Sequence, residues 1–187
     1  MSVAVRPMTT DEFLAWEERQ EFRWEFDGFA PVAMTGGTAT HARVQRNIIA
    51  ALAPRLRGSP CEVYTSDLKI RLAHSIRYPD AFVACTPVLG TATYVTEPVV
   101  VFEVLSESTA STGHYIENQE YRATPSIQRY IMLEQVFVSA TVFAREDDDW
   151  VGHVLGTDAI VDMPEIGISV PLTEFYEGID FSAPAQD

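Results

Sequence analysis

Asp80 and Glu103 are the residues from which chemistry can first be read in this chain: one follows Tyr78-Pro79, the other sits inside Val99-Val100-Val101-Phe102-Glu103-Val104-Leu105. An ionised carboxylate beside aliphatic neighbours is costly unless a positive group meets it. If the two acids lie side by side, they suit a hard divalent cation, Mg²⁺ or Mn²⁺. Mg²⁺ takes carboxylate and water oxygens at about 2.1 Å and keeps positions open for a phosphate. The plainer reading of either acid is a strand-end residue that reaches solvent or pairs with an arginine, and both readings stand at this point.

The elements that must position these acids follow from periodicity. Ala81-Phe82-Val83-Ala84-Cys85 and Val99–Leu105 are near-continuous apolar runs, as in strands covered on both faces. In the second run Val99, Val101, Glu103 and Leu105 share a face, so Glu103 points with aliphatic neighbours. Ahead of them, Thr10 with Asp11 and Glu12 opens a capped helix, and Phe22–Phe26 turns at Asp27-Gly28 into a second strand through Ala30–Met34. Glu25 lies on this hairpin, where the plain reading is an exposed strand acid. Thr40 is the expected cap of a helix from His41, with Val44, Ile48, Leu52 and Leu56 at helical spacing and Pro54 bending or ending it. His41, Arg43 and Arg46 project from its early turns, to contact a substrate phosphate or to form a solvated face.

Cys61–Leu72 alternates well enough for one strand, expected to pair antiparallel with the Asp80 strand and to bring Lys69 within reach of Asp80. There Lys69 either serves the site as its positive group or simply pairs with Asp67 or Asp80. After a polar loop the pattern predicts a helix over 114–123, strands over 127–133, 137–145 and 150–155, and a short helix over 170–176. The acids at 146–149 read as a solubilising hairpin turn. Assembled, the chain is expected to be one α/β domain over 1–187 with a mixed central β-sheet flanked by helices.

The order of these pieces resembles the PD-(D/E)XK nuclease superfamily, the restriction-endonuclease-like fold, and within it the Uma-two family. The resemblance is carried by Arg23-Trp24-Glu25-Phe26-Asp27-Gly28, His41, Ser66–Arg71 and Tyr78-Pro79-Asp80. It continues through Phe102–Thr109, Tyr121–Ile127 and Leu172–Gly178, and so spans nearly the whole chain. It implies a metal-dependent DNA endonuclease with Asp80, Glu103 and the Val104 carbonyl on the metal and Glu25 completing the acidic cluster. It also implies a possible homodimer, since related nucleases that cut duplexes often pair.

The resemblance breaks at the chemistry. The superfamily's lysine, two residues after the second acid, is replaced by Leu105. The Uma-two branch carries it instead in an Asp-x-x-x-Lys stretch of the next helix, where those positions are Gly113 and Glu117. Lys69 is the only lysine in the chain. A lysine-assisted mechanism therefore uses Lys69 or does not exist, and a catalytically inactive relative that binds a partner is the competing reading.

Net charge of −14 is the wrong sign for a protein that grips nucleic acid over a wide surface. The charge is uneven, however. Residues 41–79 carry seven basic and two acidic side chains, whereas 146–187 hold 11 acids and no lysine or arginine. Cys61 and Cys85 fit no metal spacing and read as buried thiols. No signal pattern or membrane-length apolar run is present, so a cytoplasmic location without a membrane partner is expected.

Overall fold

In the computed structural model, which describes residues 7–34, 36–105, 113–147 and 149–182, helix α1 (Thr10–Glu17) opens the fold. Its cap is Thr9, one residue earlier than expected. The Thr9 hydroxyl accepts from the Glu12 amide at 3.2 Å, and Glu12 Oε2 accepts from the Thr9 amide at 2.8 Å, a reciprocal capping box. Strands β1 (Trp24–Phe26) and β2 (Pro31–Ala33) form the expected hairpin. Asp27 Oδ1 accepts from the amides of Phe29 and Ala30, and Gly28 takes φ +89°, a left-handed turn position that suits glycine.

Helix α2 (Ala39–Arg55) also starts early. Thr38, not Thr40, caps it, accepting from the His41 amide at 3.1 Å. Val44, Ile48 and Leu52 are fully buried along one stripe, and Pro54 falls in the last turn. The stretch Cys61–Leu72 is not one strand. It breaks at a turn over Ser66-Asp67-Leu68 into β3 (Glu62–Thr65) and β4 (Lys69–Arg71), which belong to different sheets. The polar Ser66-Asp67 pair favours that turn over continued extension. After β5 (Ile76–Arg77), β6 (Ala81–Ala84) pairs antiparallel with β3, while β4 pairs with β5.

Strand β7 (Tyr94–Val95) runs parallel to β4, and β8 (Pro98–Val104) lies between β6 and β9 (Arg129–Leu133). Because β8 and β9 are parallel, the chain must cross over between them, and helix α3 (Gly113–Ala123) lies on that connection. β10 (Ala140–Glu146) and β11 (Asp149–Leu155) complete a six-stranded sheet of order β11-β10-β9-β8-β6-β3. This is the expected mixed central sheet, and beside it a smaller sheet has the order β2-β1-β5-β4-β7. Last come the antiparallel pair β12 (Ile160–Met163) and β13 (Ile168–Pro171) and a 3₁₀ turn over Leu172–Tyr176. That turn packs on α2, where Asn47 Nδ2 donates to the carbonyls of Phe175 and Glu177 at 3.2 and 2.9 Å.

The pleat of β8 sorts its side chains between two cores. Val100, Phe102 and Val104 pack with α2 and the 3₁₀ turn, while Val101 packs with Phe82, Tyr121 and Tyr130. One expectation is corrected here: Cys61 and Cys85 form a disulfide. The Glu62↔Ala84 register sets them opposite across β3 and β6, a proximity that a separation of 24 residues conceals until the strand pairing is known.

Candidate active site

The β6–β8 register builds the centre of the site. Ala81 stands opposite Phe102, so Asp80, one residue before β6, comes alongside Glu103. Directly opposed residues on antiparallel strands have Cβ atoms about 4.5–5.5 Å apart, and like charges so placed repel. The Val104 amide donates to Asp80 Oδ2 at 2.7 Å, and Gln45 Nε2 on α2 donates to the Asp80 carbonyl at 3.0 Å. The Tyr121 hydroxyl on α3 donates to Glu103 Oε1 at 2.9 Å. Burial of its carboxyl pushes the Glu103 pKa well above the usual carboxylate value, and the charges of Asp80, Glu117 and Glu25 push it further.

His41 comes to the same acid from α2, with Nε2 3.2 Å from Asp80 Oδ2. The imidazole pKa is raised chiefly by its hydrogen bond to Asp80, against burial, with help from the Asp80 charge and the Val104 carbonyl that the ring also meets. His41 therefore lies on the carboxylate and the backbone oxygen together, rather than on the exposed helix face that carries Arg43 and Arg46. Arg46 bonds back to Asn47 Oδ1 at 2.9 and 3.2 Å. It also lines an open depression of about 260 Å³ with Gln45, Thr65, Ser66 and Asp67.

Glu25 is near these acids but committed elsewhere. Its Oε1 accepts from the Tyr78 amide at 2.8 Å, and its Oε2 lies 3.2 Å from Arg77 Nη1. Burial still raises its pKa, against the opposing effects of Arg77 and that amide. Arg77, 5 % exposed, also binds Glu120 at 2.8 Å and reaches Glu117 at 3.7 Å, joining β1, β5 and α3 through one guanidinium.

Lys69 lies elsewhere than the sequence suggested, because β4 leaves the sheet that contains β6. Its Nζ is 2.5 Å from Glu17 Oε2 on α1 and sits over the Tyr78 ring, whose hydroxyl donates to Glu17 Oε1 at 2.7 Å. Asp67, its other suggested partner, pairs with Arg23. Sequence reasoning missed Tyr121, Arg77, Glu120 and Glu17 as partners. The first lies at the start of the Tyr121–Ile127 stretch that carries the resemblance, but no local pattern exposes the rest. Ser106–Thr109 lie outside the described residues.

Among the described residues, no three His, Cys, Asp or Glu side chains are placed to hold a metal. What converges is the Asp80–His41 pair with the Val104 carbonyl, while Glu103 stands alongside on the next strand. As donor chemistry this set fits a divalent cation: hard oxygens, excess negative charge and an imidazole nitrogen.

The chain is similar to known proteins. An uncharacterized protein of Synechocystis sp., slr1290, is 30 % identical over 178 residues, covering 93 % of this chain and 94 % of its own. A second, sll1609, is 29 % identical over 136 residues, covering 68 % and 75 %. The crystal structure of a "putative nuclease belonging to DUF820" from Anabaena variabilis superposes with a TM-score of 0.75 at 16 % identity, over 94 % of this chain and 98 % of the other. That likeness shows the fold to be restriction-endonuclease-like. A family model described as "Putative restriction endonuclease" matches residues 10–173, and the chain belongs to that family, Uma2.

Proposed function

We propose that this protein is a divalent-cation-dependent DNA endonuclease whose centre is Asp80, Glu103 and the Val104 carbonyl, with Mg²⁺ or Mn²⁺ as cofactor. The observation that carries the reading is the β6–β8 register, which sets the carboxyl groups of Asp80 and Glu103 side by side, where a cation would relieve the repulsion between them. A cation bound there supplies charge against the negative charge that grows on the phosphoryl oxygens.

The chain's own groups do the rest. The Val104 amide and Gln45 fix Asp80, Tyr121 orients Glu103, and Arg77 holds Glu25 at the border of the cluster. Arg43 and Arg46 on the exposed face of α2 suit the phosphate backbone, so affinity for DNA is expected to fall with added salt. Lys69 is paired with Glu17 and lies over the Tyr78 ring, so this reading gives it no step in the reaction.

One observation favours a second reading, an inactive relative that binds a partner. The resemblance puts the family's lysine at the position of Glu117, and the nearby Arg77 is already shared among three acids. Supercoiled-plasmid nicking decides between the two. Activity with Mn²⁺ or Mg²⁺ that falls roughly a hundredfold or more in Asp80→Asn and Glu103→Gln supports the nuclease, on the scale of several kcal/mol of charge stabilisation. No nicking by the folded wild-type chain with either cation supports the inactive relative.

A further inference from the structure

We propose that Phe137, with Val136 beside it, is a wedge that enters the base stack of bound DNA close to the cleaved phosphate, so that the protein favours duplexes whose stacking is already interrupted, as at a mismatch. The inference rests on the DNA reading above and narrows the substrate to a structural class of duplex.

Strands β8 and β9 run parallel, with Glu103 opposite Met132 and Val104 opposite Leu133, and the Leu105 amide donates to the Leu133 carbonyl at 2.8 Å. The chain therefore leaves β9 at the end of the sheet where Glu103 and Asp80 stand. There it makes a short loop over 134–139, closed by the Glu134 amide, which donates to the Ser139 carbonyl at 3.0 Å. A loop of that length projects no more than about 10 Å from the sheet, roughly the rise of three base steps.

Gln135 ties the same loop to the helix that borders the acids. Its Oε1 accepts from the hydroxyl of Thr38, the cap of α2, at 2.7 Å. One turn later that helix presents His41 to Asp80, and Arg43 and Arg46 lie on its exposed face. By the helical rise these arginines start about 8 and 12 Å along the axis from the cap. Charged groups for the phosphate backbone and an apolar pair for the bases thus flank one helix start.

The base of the loop is braced. The Tyr176 hydroxyl donates to the Ser139 carbonyl at 2.6 Å, the Ser139 hydroxyl donates to the Leu155 carbonyl at 3.1 Å, and Val138 packs against the core beneath. Val136 and Phe137 stay outside that core, 52 % and 54 % exposed. An apolar pair held out on a braced loop loses little further freedom on binding. Its size points to the partner. One phenylalanine and one valine offer on the order of 200–300 Å², well short of the roughly 800 Å² per partner of a stable protein interface. A wedge of that size is what minor-groove binders insert between base steps, unstacking and kinking the duplex. Unstacking costs least where a base is already mismatched, which gives the preference its origin.

The test uses the full chain with Ca²⁺ and phosphorothioate-linked duplexes, so that DNA is bound and not cut. Fluorescence anisotropy compares a regular duplex with the same duplex carrying one mismatch, and 2-aminopurine placed at successive positions reports unstacking. The mismatched duplex is expected to bind about tenfold more tightly, the scale of one stacked base, with 2-aminopurine fluorescence rising at one position. Both effects are expected to vanish in Phe137→Ala, whose urea midpoint stays at the wild-type value, and to persist in Phe137→Trp, which keeps an aromatic wedge. Equal affinity for the two duplexes with no fluorescence rise overturns the proposal, as does a rise that persists in folded Phe137→Ala. Self-association of the wild-type chain that Phe137→Ala abolishes also overturns it, by assigning the loop to a second copy. Failure to bind either duplex overturns the wedge together with the DNA reading. Binding and plasmid nicking without unstacking overturn the wedge alone, and unstacking without nicking supports the wedge while the nuclease reading fails.

Discussion

Arg77 and Glu117 face each other at 3.7 Å beside the paired acids, so the positive charge there comes from β5 and the helix α3 contributes an acid. The guanidinium also holds Glu25 and Glu120, and it ties the helix that carries Tyr121 to the smaller sheet.

Removing that charge is therefore costly. Arg77→Met is expected to lower stability by about 3–5 kcal/mol in urea unfolding, the usual loss when one partner of a buried ion pair is removed. Arg77→Met combined with Glu117→Gln recovers part of the loss, because fewer unpaired acids remain. A single-variant loss below about 1 kcal/mol would mean that the acids find solvent without Arg77.

Lys69 and Glu17 form a second buried pair, 9 % and 7 % exposed. Lys69→Met alone leaves Glu17 desolvated and is expected to destabilise by several kcal/mol, whereas Lys69→Met with Glu17→Gln recovers much of that cost. A double-mutant cycle in urea measures the coupling. Additive losses would show that the pair contributes nothing as a pair.

Glu103 carries a cost at neutral pH. Its folded pKa is raised above the ordinary value of 4.5 by burial and by neighbouring acids. Its contribution to stability is thus fully present below pH 4.5 and is lost as pH rises through the folded value. Glu103→Gln, which can still accept from Tyr121, is expected to raise the urea midpoint at pH 7 and to lose that advantage below pH 4.5. A midpoint lower than wild type at pH 7 would contradict the repulsion described here.

The Cys61–Cys85 bridge closes a separation of 24 residues around β3 to β6. Its reduction is expected to lower stability by about 2–4 kcal/mol. Thermal unfolding with and without reductant, alongside a thiol count, measures this. Two titratable thiols in the unreduced folded protein would contradict the bridge.

The parts of this architecture that were legible in the sequence are those set by local pattern. The β1–β2 hairpin announced itself through alternation and Asp27-Gly28, α2 through its apolar stripe, and the Asp80 and Glu103 strands through their aliphatic runs. Both helix caps were displaced by one or two residues because two threonines lie close together at each start, Thr9/Thr10 and Thr38/Thr40, and backbone geometry decides between them. The partition of 61–72 between two sheets was hidden, since alternation continues through Ser66-Asp67 whether or not the chain turns there. That partition sent Lys69 to Glu17 and gave Arg77 its place among the acids. The Cys61–Cys85 pairing was equally a product of register, which composition does not encode.

The central claim, that Asp80 and Glu103 hold a divalent cation used to cut DNA, is tested most directly by titrating Mn²⁺ calorimetrically into the wild-type chain and into Asp80→Ala, with plasmid nicking measured on the same samples. The account predicts one bound ion and metal-dependent nicking in the wild type, with both lost in the folded variant. Undiminished Mn²⁺ binding in Asp80→Ala, or no binding to the wild-type chain, would contradict it.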